Sequence, residues 1–460
     1  MRIPRILFTF NRSPTMPNFL CILLLAYLMA FSLQSNAHSL GIHNTQSAHV
    51  HSSLSAYTTL QEQPYPVVIV PGTGGNQVEA RLTADYKPSG LFCRRWLWEK
   101  DWFTIWFDLS VIVPPFTECF AERMSLVYDS HEDEYINAPG VETRVPYFGS
   151  TKGMQYLDPK FKTITPYMSL LVKSLEDAGY IDGKSLLGAP YDFRYGPGTK
   201  PSSVGRKYLR DLQKLVEEAY TSNGDTQVIL VSHSLGGLWA LYLLNQQPLS
   251  WRQQYIKHFV AIAAPWGGTV QEMRTFASGY SLDIPTVNPL VVRAEQRSSE
   301  SNLWLLPVPE VFGNDTLVTT EQKSYSALDM PEFLKDIGFS EGIYPYKSHI
   351  RPLTEHLKAP KVPVTLIFGT GIDTPETLIY NKGGFDNQPE IIMGDGDGTV
   401  NLCSLSAVVS NWSATEGQKL MVVKIPQCTH TTILKDEESI QKIVDVILGA
   451  NLQSTHSAVT

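Results

Sequence analysis

Four short words, met in a fixed order, leave this chain few folds: Val-Pro-Gly-Thr-Gly-Gly-Asn-Gln (Val70 to Gln77), Ser-His-Ser-Leu-Gly-Gly (Ser232 to Gly237), Gly-Asp-Gly-Asp-Gly-Thr-Val (Gly394 to Val400) and Cys-Thr-His (Cys428 to His430). The second constrains most. Val228 to Val231 reads as a buried strand and Leu235 to Leu244 as a helix apolar all round, so Ser234 falls on the turn between them. A strand that reverses sharply into a helix has room only for small residues two places before and two places after the apex, and Ser232 and Gly236 hold those places. Glycine is the usual occupant where Ser232 stands, but serine is small enough to serve.

The other words supply what a serine at such an apex needs. Pro66 to Gly75 is a β-branched run that stops at Pro71-Gly72, an early strand leading into a glycine-rich turn. A backbone N–H from that turn, at Thr73, and the N–H of Leu235 are the candidate donors to an oxyanion. Asp397 follows a strand candidate at Val364 to Gly369. His430 lies between a strand candidate at Leu420 to Ile425 and a closing helix from Asp436 to Leu448. Serine, acid and histidine in that order are the chain order of an α/β-hydrolase: an α/β fold with a nucleophile, a base and a carboxylate that holds the base. Asp395 competes with Asp397 for the acid; Gly398-Thr399-Val400 fits a loop returning to the core and favours Asp397. A calcium loop at Asp395 fails on spacing, because Thr399 and Ser406 stand where an acid or amide and a bidentate Glu are needed.

Pro-Gly-x-x-Gly-Asn-Gln with Glu79, the His-Ser-Leu-Gly elbow, Ala264-Pro265-Trp266-Gly267-Gly268, Ala189-Pro190-Tyr191-Asp192-Phe193-Arg194 and Gly-Asp-Gly-Asp-Gly-Thr-Val together resemble the lecithin:cholesterol acyltransferase and lysosomal phospholipase A2 family, most of all its plant members. The resemblance runs from about Pro64 to about Leu448. It implies an α/β-hydrolase core with a membrane-binding insertion at about 80–130 and a lid at about 278–303. Ser234, Asp397 and His430 then take the triad positions, and Thr73 and Leu235 the oxyanion positions. It also implies a Cys93 to Cys119 disulfide closing an aromatic-rich loop, with Trp96 or Trp98 as the lipid-touching anchor and Trp102 to Phe107 as a packing helix. A second disulfide of the animal relatives has no counterpart, since Leu366 and Val408 align with its cysteines. Cys403 and Cys428 are left to pair or to remain free. Asp192 and Arg194 read as a pair bracing a loop beside the site.

The resemblance implies a lipid acyl-ester enzyme that cleaves a phospholipid through a serine acyl-enzyme, with phospholipid and lipid-alcohol substrates such as a sterol, a membrane surface as partner and no cofactor or metal. Water as acceptor gives the phospholipase alternative; a lipid-binding protein on a dead scaffold and a peptidase are the remoter ones. A net charge of -8 gives no electrostatic case for nucleic acid. Arg2, Arg5 and Arg12 precede an apolar run from Phe19 to Leu33 and a small-x-small word at Ser35-Asn36-Ala37, which reads as a cleaved signal or an uncleaved anchor over residues 1–37. A flexible stem at 38–63 and a tail at 449–460 flank the enzyme domain. Either reading of the N-terminus sends the protein to a secretory or lumenal compartment, where Asn314 and Asn411 become glycosylation acceptors.

Overall fold

Val67–Val70 (β1), Leu186–Gly188 (β2), Val228–His233 (β3), Ile256–Ile262 (β4), Val364–Thr370 (β5) and Leu420–Pro426 (β6) form one parallel sheet in the order β6-β5-β4-β3-β1-β2. The computed structural model describes residues 64–91, 93 and 101–452. Val67 lies opposite Ile229, and Val67 to Val70 and Val228 to Val231 have no solvent exposure. Unbroken apolar runs of this kind are what a parallel sheet covered on both faces demands.

The covering helices include Phe116–Met124 (α1), Val204–Ser222 (α2), Leu235–Gln246 (α3), Val270–Ser278 (α4), Pro289–Ser298 (α5) and Glu437–Leu452 (α6). α2 buries Leu209, Leu212, Leu215, Val216 and Ala219, the one apolar face its spacing predicts, whereas α3 is buried on nearly every side. The sheet order reverses direction at β1 and β3, and the C-terminal ends of these strands open the crevice in which such folds place their sites.

Two excursions from this frame matter. Val78–Leu82 pairs antiparallel with Phe103–Trp106 and with Val141–Arg144, and the Cys93–Cys119 disulfide ties the segment between them to α1. Phe103 to Trp106 is therefore a strand and not the packing helix expected: aromatic and β-branched residues suit a pleated edge, and Val78 to Ala80 offers one to pair with. Trp96 and Trp98 lie outside the described residues. The second excursion is a hairpin of Ile372–Tyr380 and Glu390–Gly396 that leaves the end of β5 and returns to it. Cys403 and Cys428 are both free, the first exposed and the second buried.

The segment 278–303 is more ordered than its irregular composition suggests. Asn288 caps α5 by accepting from Leu290 N–H, Arg293 donates to the Ala277 carbonyl at 3.0 Å, and Arg297 donates to the Phe276 carbonyl at 2.6 Å. Periodicity misses this helix because its polar residues bond inward to backbone carbonyls. The signal or anchor at 1–37 and the stem fall outside the described residues; among the described residues no helix is long and apolar enough to cross a membrane.

Candidate active site

Ser234 sits between β3 and α3 at φ 53° and ψ -129°, a conformation that costs a non-glycine residue roughly 1–3 kcal/mol and persists only where the surroundings enforce it. Here the enforcement is visible. Ser234 N–H donates to the Ile262 carbonyl at 2.8 Å, and α3 approaches β1 so closely that a Cβ on Gly236 would stand 2.5 Å from the Val70 and Pro71 oxygens. A Cβ on Gly72 would meet the Ser234 Cβ at 2.8 Å, so the turn after β1 runs directly against the apex serine. The Ser232 hydroxyl is buried without a hydrogen-bond partner among the described residues, the energetic cost of having serine where glycine would do.

His430 Nε2 lies 2.9 Å from Ser234 Oγ, and its Nδ1 lies 2.7 Å from Asp397 Oδ2. Asp397 has no solvent exposure, and its other oxygen accepts from Thr399 N–H at 3.1 Å and Val400 N–H at 2.8 Å. The His430 N–H also donates to the Asp397 carbonyl at 2.7 Å. Asp397 reaches this place from the hairpin and not from β5 itself, and it packs against Gly369 at the strand's end. Asp395 is exposed and accepts from Gly371 N–H at 2.7 Å, bracing the hairpin away from the imidazole. An imidazole held in this way can take the serine proton and return it to a leaving group, while the carboxylate stabilises the cation formed in between.

Leu235 opens α3, so its N–H belongs to the first helical turn, whose donors have no partner within the helix. Thr73 is the second residue of a turn closed by Gly75 N–H donating to the Gly72 carbonyl at 3.0 Å, and it is exposed. Three long-range contacts hold that turn. The Tyr191 hydroxyl donates to the Pro71 carbonyl at 3.1 Å, Asn76 exchanges hydrogen bonds with the Tyr191 backbone, and Trp106 Nε1 donates to the Gly74 carbonyl at 2.8 Å. Asp192 and Arg194 form a buried, bidentate ion pair next to it.

Tyr167, outside every motif, and His233, part of the elbow word but given no role there, join the turn to His430. Gly72 N–H donates to the Tyr167 hydroxyl at 2.9 Å, that hydroxyl lies 2.8 Å from His233 Nδ1, and His233 Nε2 lies 3.0 Å from the His430 carbonyl. A carbonyl only accepts, so Nε2 carries the proton and Nδ1 accepts from Tyr167. Burial, with the neighbouring His430 adding to it, lowers the His233 pKa to about 3, and the ring therefore stays neutral and keeps this tautomer. Removing the hydroxyl in Tyr167→Phe is expected to lower kcat on a short soluble ester by between about tenfold and a hundredfold, with KM little changed, because His430 and the candidate oxyanion turn lose their common brace. An unchanged kcat in a folded Tyr167→Phe would exclude this positioning role.

Beside the turn lies a cavity of about 220 Å³ whose walls include Thr73, Trp106, Phe107, Phe120, Phe193 and Val292. It is mostly apolar and is lined in part by the candidate oxyanion residue, a chemistry suited to an alkyl chain.

The family model described as "Lecithin:cholesterol acyltransferase" matches residues 102–344 and 339–443. The chain is 54% identical to lecithin-cholesterol acyltransferase-like 1 of Arabidopsis thaliana, over 85% of this chain and 91% of that one. It is 35% identical to the lysosomal phospholipase A and acyltransferase of Canis lupus familiaris, over 84% and 91% respectively, and 33% identical to the phosphatidylcholine-sterol acyltransferase of Mus musculus, over 85% and 87%. Matched by the family model over most of its length and by these relatives over nearly the whole of theirs, the chain belongs to the lecithin:cholesterol acyltransferase family.

Proposed function

We propose that Ser234 attacks the acyl carbonyl of a phospholipid, with His430 taking the serine proton and Asp397 holding the imidazole. The observation that carries this reading is the Ser234–His430–Asp397 chain, 2.9 and 2.7 Å long, with a mostly apolar cavity that Thr73 helps to line. The carbonyl oxygen becomes an oxyanion held by the N–H groups of Thr73 and Leu235, the C–O bond to glycerol breaks, and His430 returns its proton to the leaving alkoxide. The acyl group then passes from Ser234 to a second hydroxyl. The chain is a phospholipid acyl-ester enzyme of the acyltransferase and phospholipase kind.

Hydrolysis and transfer share the first half-reaction, so the acceptor is decided by what reaches the acyl-enzyme first. Water at tens of molar wins unless the pocket is dry and an alcohol is held in place. The segment 278–303 supplies Tyr280, Leu282 and Val287 to the cavity wall, and in this reading it is the lid that excludes water. We assign lipid alcohols, including sterols, as acceptors. Contact with the membrane falls to the loop closed by Cys93–Cys119, and the secretory route suits that disulfide and the exposed Asn314 and Asn411. Incubation with phosphatidylcholine labelled in the acyl chain and in the head group, at increasing sterol, diacylglycerol or long-chain alcohol, should give labelled ester at the expense of free acid. Free acid as the only product at membrane saturation with each alcohol would make the protein a phospholipase alone.

A further inference from the structure

The apolar cavity contains two carboxyl groups that the acyl-transfer steps do not use. Glu272 enters it from the first turn of α4 and Glu295 from α5, with only 8% and 9% of their surfaces exposed. Glu272 stands three residues after Thr269, the N-cap of α4, where a Glu ordinarily reaches back to the cap's own N–H. That N–H donates instead to the Leu305 carbonyl at 2.8 Å. Glu272, a residue of the cavity wall, consequently keeps its Oε1 buried with no hydrogen-bond partner among the described residues. A buried polar atom without a partner costs free energy in every folded molecule, and a ligand that supplies the partner recovers it.

The charge state follows from the surroundings. Burial, reinforced by Glu295, pushes Glu272 up to about 8, and burial pushes Glu295 up to about 7 against the pull of the Arg194 guanidinium. The other cations on the packed elements are engaged elsewhere: Arg293 with Asp386 at 2.7 Å, Arg297 with the Phe276 and Ile337 carbonyls, Arg274 with Gln388, and Arg123 with the Cys93 carbonyl. Tyr280, whose phenol is pushed up by its burial, donates to Asp283. Below neutrality both carboxyls are therefore neutral and each can donate one hydrogen bond and accept another.

We propose that Glu272 and Glu295 form a hydroxyl-binding subsite inside the lipid cavity, selecting lipids that carry a hydroxyl away from the reacting ester. This rests on the acyl-ester reading above. In this proposal the hydroxyl held by the two acids is a second one, distinct from the oxygen that must reach Ser234 to receive the acyl group. It belongs either to a hydroxylated acyl chain or to an acceptor with a second hydroxyl.

The test has one arm for each source, in mixed vesicles at about pH 6. The first compares phosphatidylcholine hydroxylated midway along its acyl chain with its plain counterpart; the second compares a long-chain diol with the matching mono-alcohol as acceptors of plain acyl chains. Wild type should prefer the hydroxylated lipid in one arm by roughly tenfold in kcat/KM, the scale of one buried hydrogen bond. Glu272→Met should bring that ratio to about one, while Glu272→Gln, which still donates and accepts, should retain it. In wild type the preference should fade as pH rises through about 8, because the neutral acid that donates is lost, and in Glu272→Gln it should not fade. The pH comparison stands even if Glu272→Met fails to fold. Turnover of plain phosphatidylcholine with no preference in either arm, or a preference that survives in Glu272→Met, overturns the subsite alone. No turnover of any phospholipid overturns the functional reading with it.

Discussion

Ser234→Ala and His430→Ala should each lower kcat on a phospholipid or a soluble ester by about a million-fold, and the double variant should be no slower, since groups that act as one unit lose their function together. Asp397→Asn should cost about ten-thousand-fold, because an amide at that place no longer fixes the imidazole tautomer or stabilises its charged form. None of the three should unfold the protein. The informative comparison is Asp395→Asn, whose side chain is exposed and serves Gly371 N–H in place of the base. It should stay within a few-fold of wild type. Steady-state rates with matched far-UV circular dichroism decide the matter: full activity in Ser234→Ala removes the mechanism, and a larger loss in Asp395→Asn than in Asp397→Asn moves the acid.

The second large effect is on stability. Arg194 has no solvent exposure; it pairs bidentately with Asp192 and also donates to the Met124 carbonyl at 3.0 Å, to Asn137 at 2.8 Å and to Thr143 at 3.0 Å. One guanidinium thus joins α1, the strand Glu134–Asn137, the strand of Thr143 and the loop that carries Tyr191. Arg194→Met should destabilise by about 3–5 kcal/mol, because it leaves the Asp192 carboxylate buried without its counter-charge and strands three further acceptors. Replacing both partners, as Asp192→Leu with Arg194→Met, should cost less than Arg194→Met alone, since no charge then remains to be desolvated. Urea midpoints measure both. Equal midpoints for Arg194→Met and wild type would mean the pair contributes nothing net, and a double variant worse than the single would place the cost in packing.

Residue patterns alone carried much of this architecture. The unbroken runs at Val67–Val70 and Val228–His233 specify buried parallel strands, and the small residues around Ser234 specify a reversal that no larger side chain allows. The one-faced apolar spacing of α2 and the all-round apolarity of α3 are equally local statements. Such features are legible because each depends on neighbours within one turn or one strand. The helix expected at Trp102 to Phe107 failed because the decisive partner, Val78 to Ala80, is distant in sequence, and pairing overrode local preference.

What sequence by itself determined is the parallel core, the sharp turn at Ser234 and the chain order of the chemical groups. Only the tertiary structure brings Asp397 and not Asp395 against His430, since both stand on one glycine-rich return and just one is turned inward by the hairpin. It alone joined Tyr167 to His233 and the oxyanion turn, and it alone diverted the Thr269 N–H to Leu305 and left Glu272 in the cavity. The division has a physical cause: strand and turn preferences act between neighbours along the chain, whereas a hydrogen bond at 3 Å across tens of residues exists only after the chain has closed on itself.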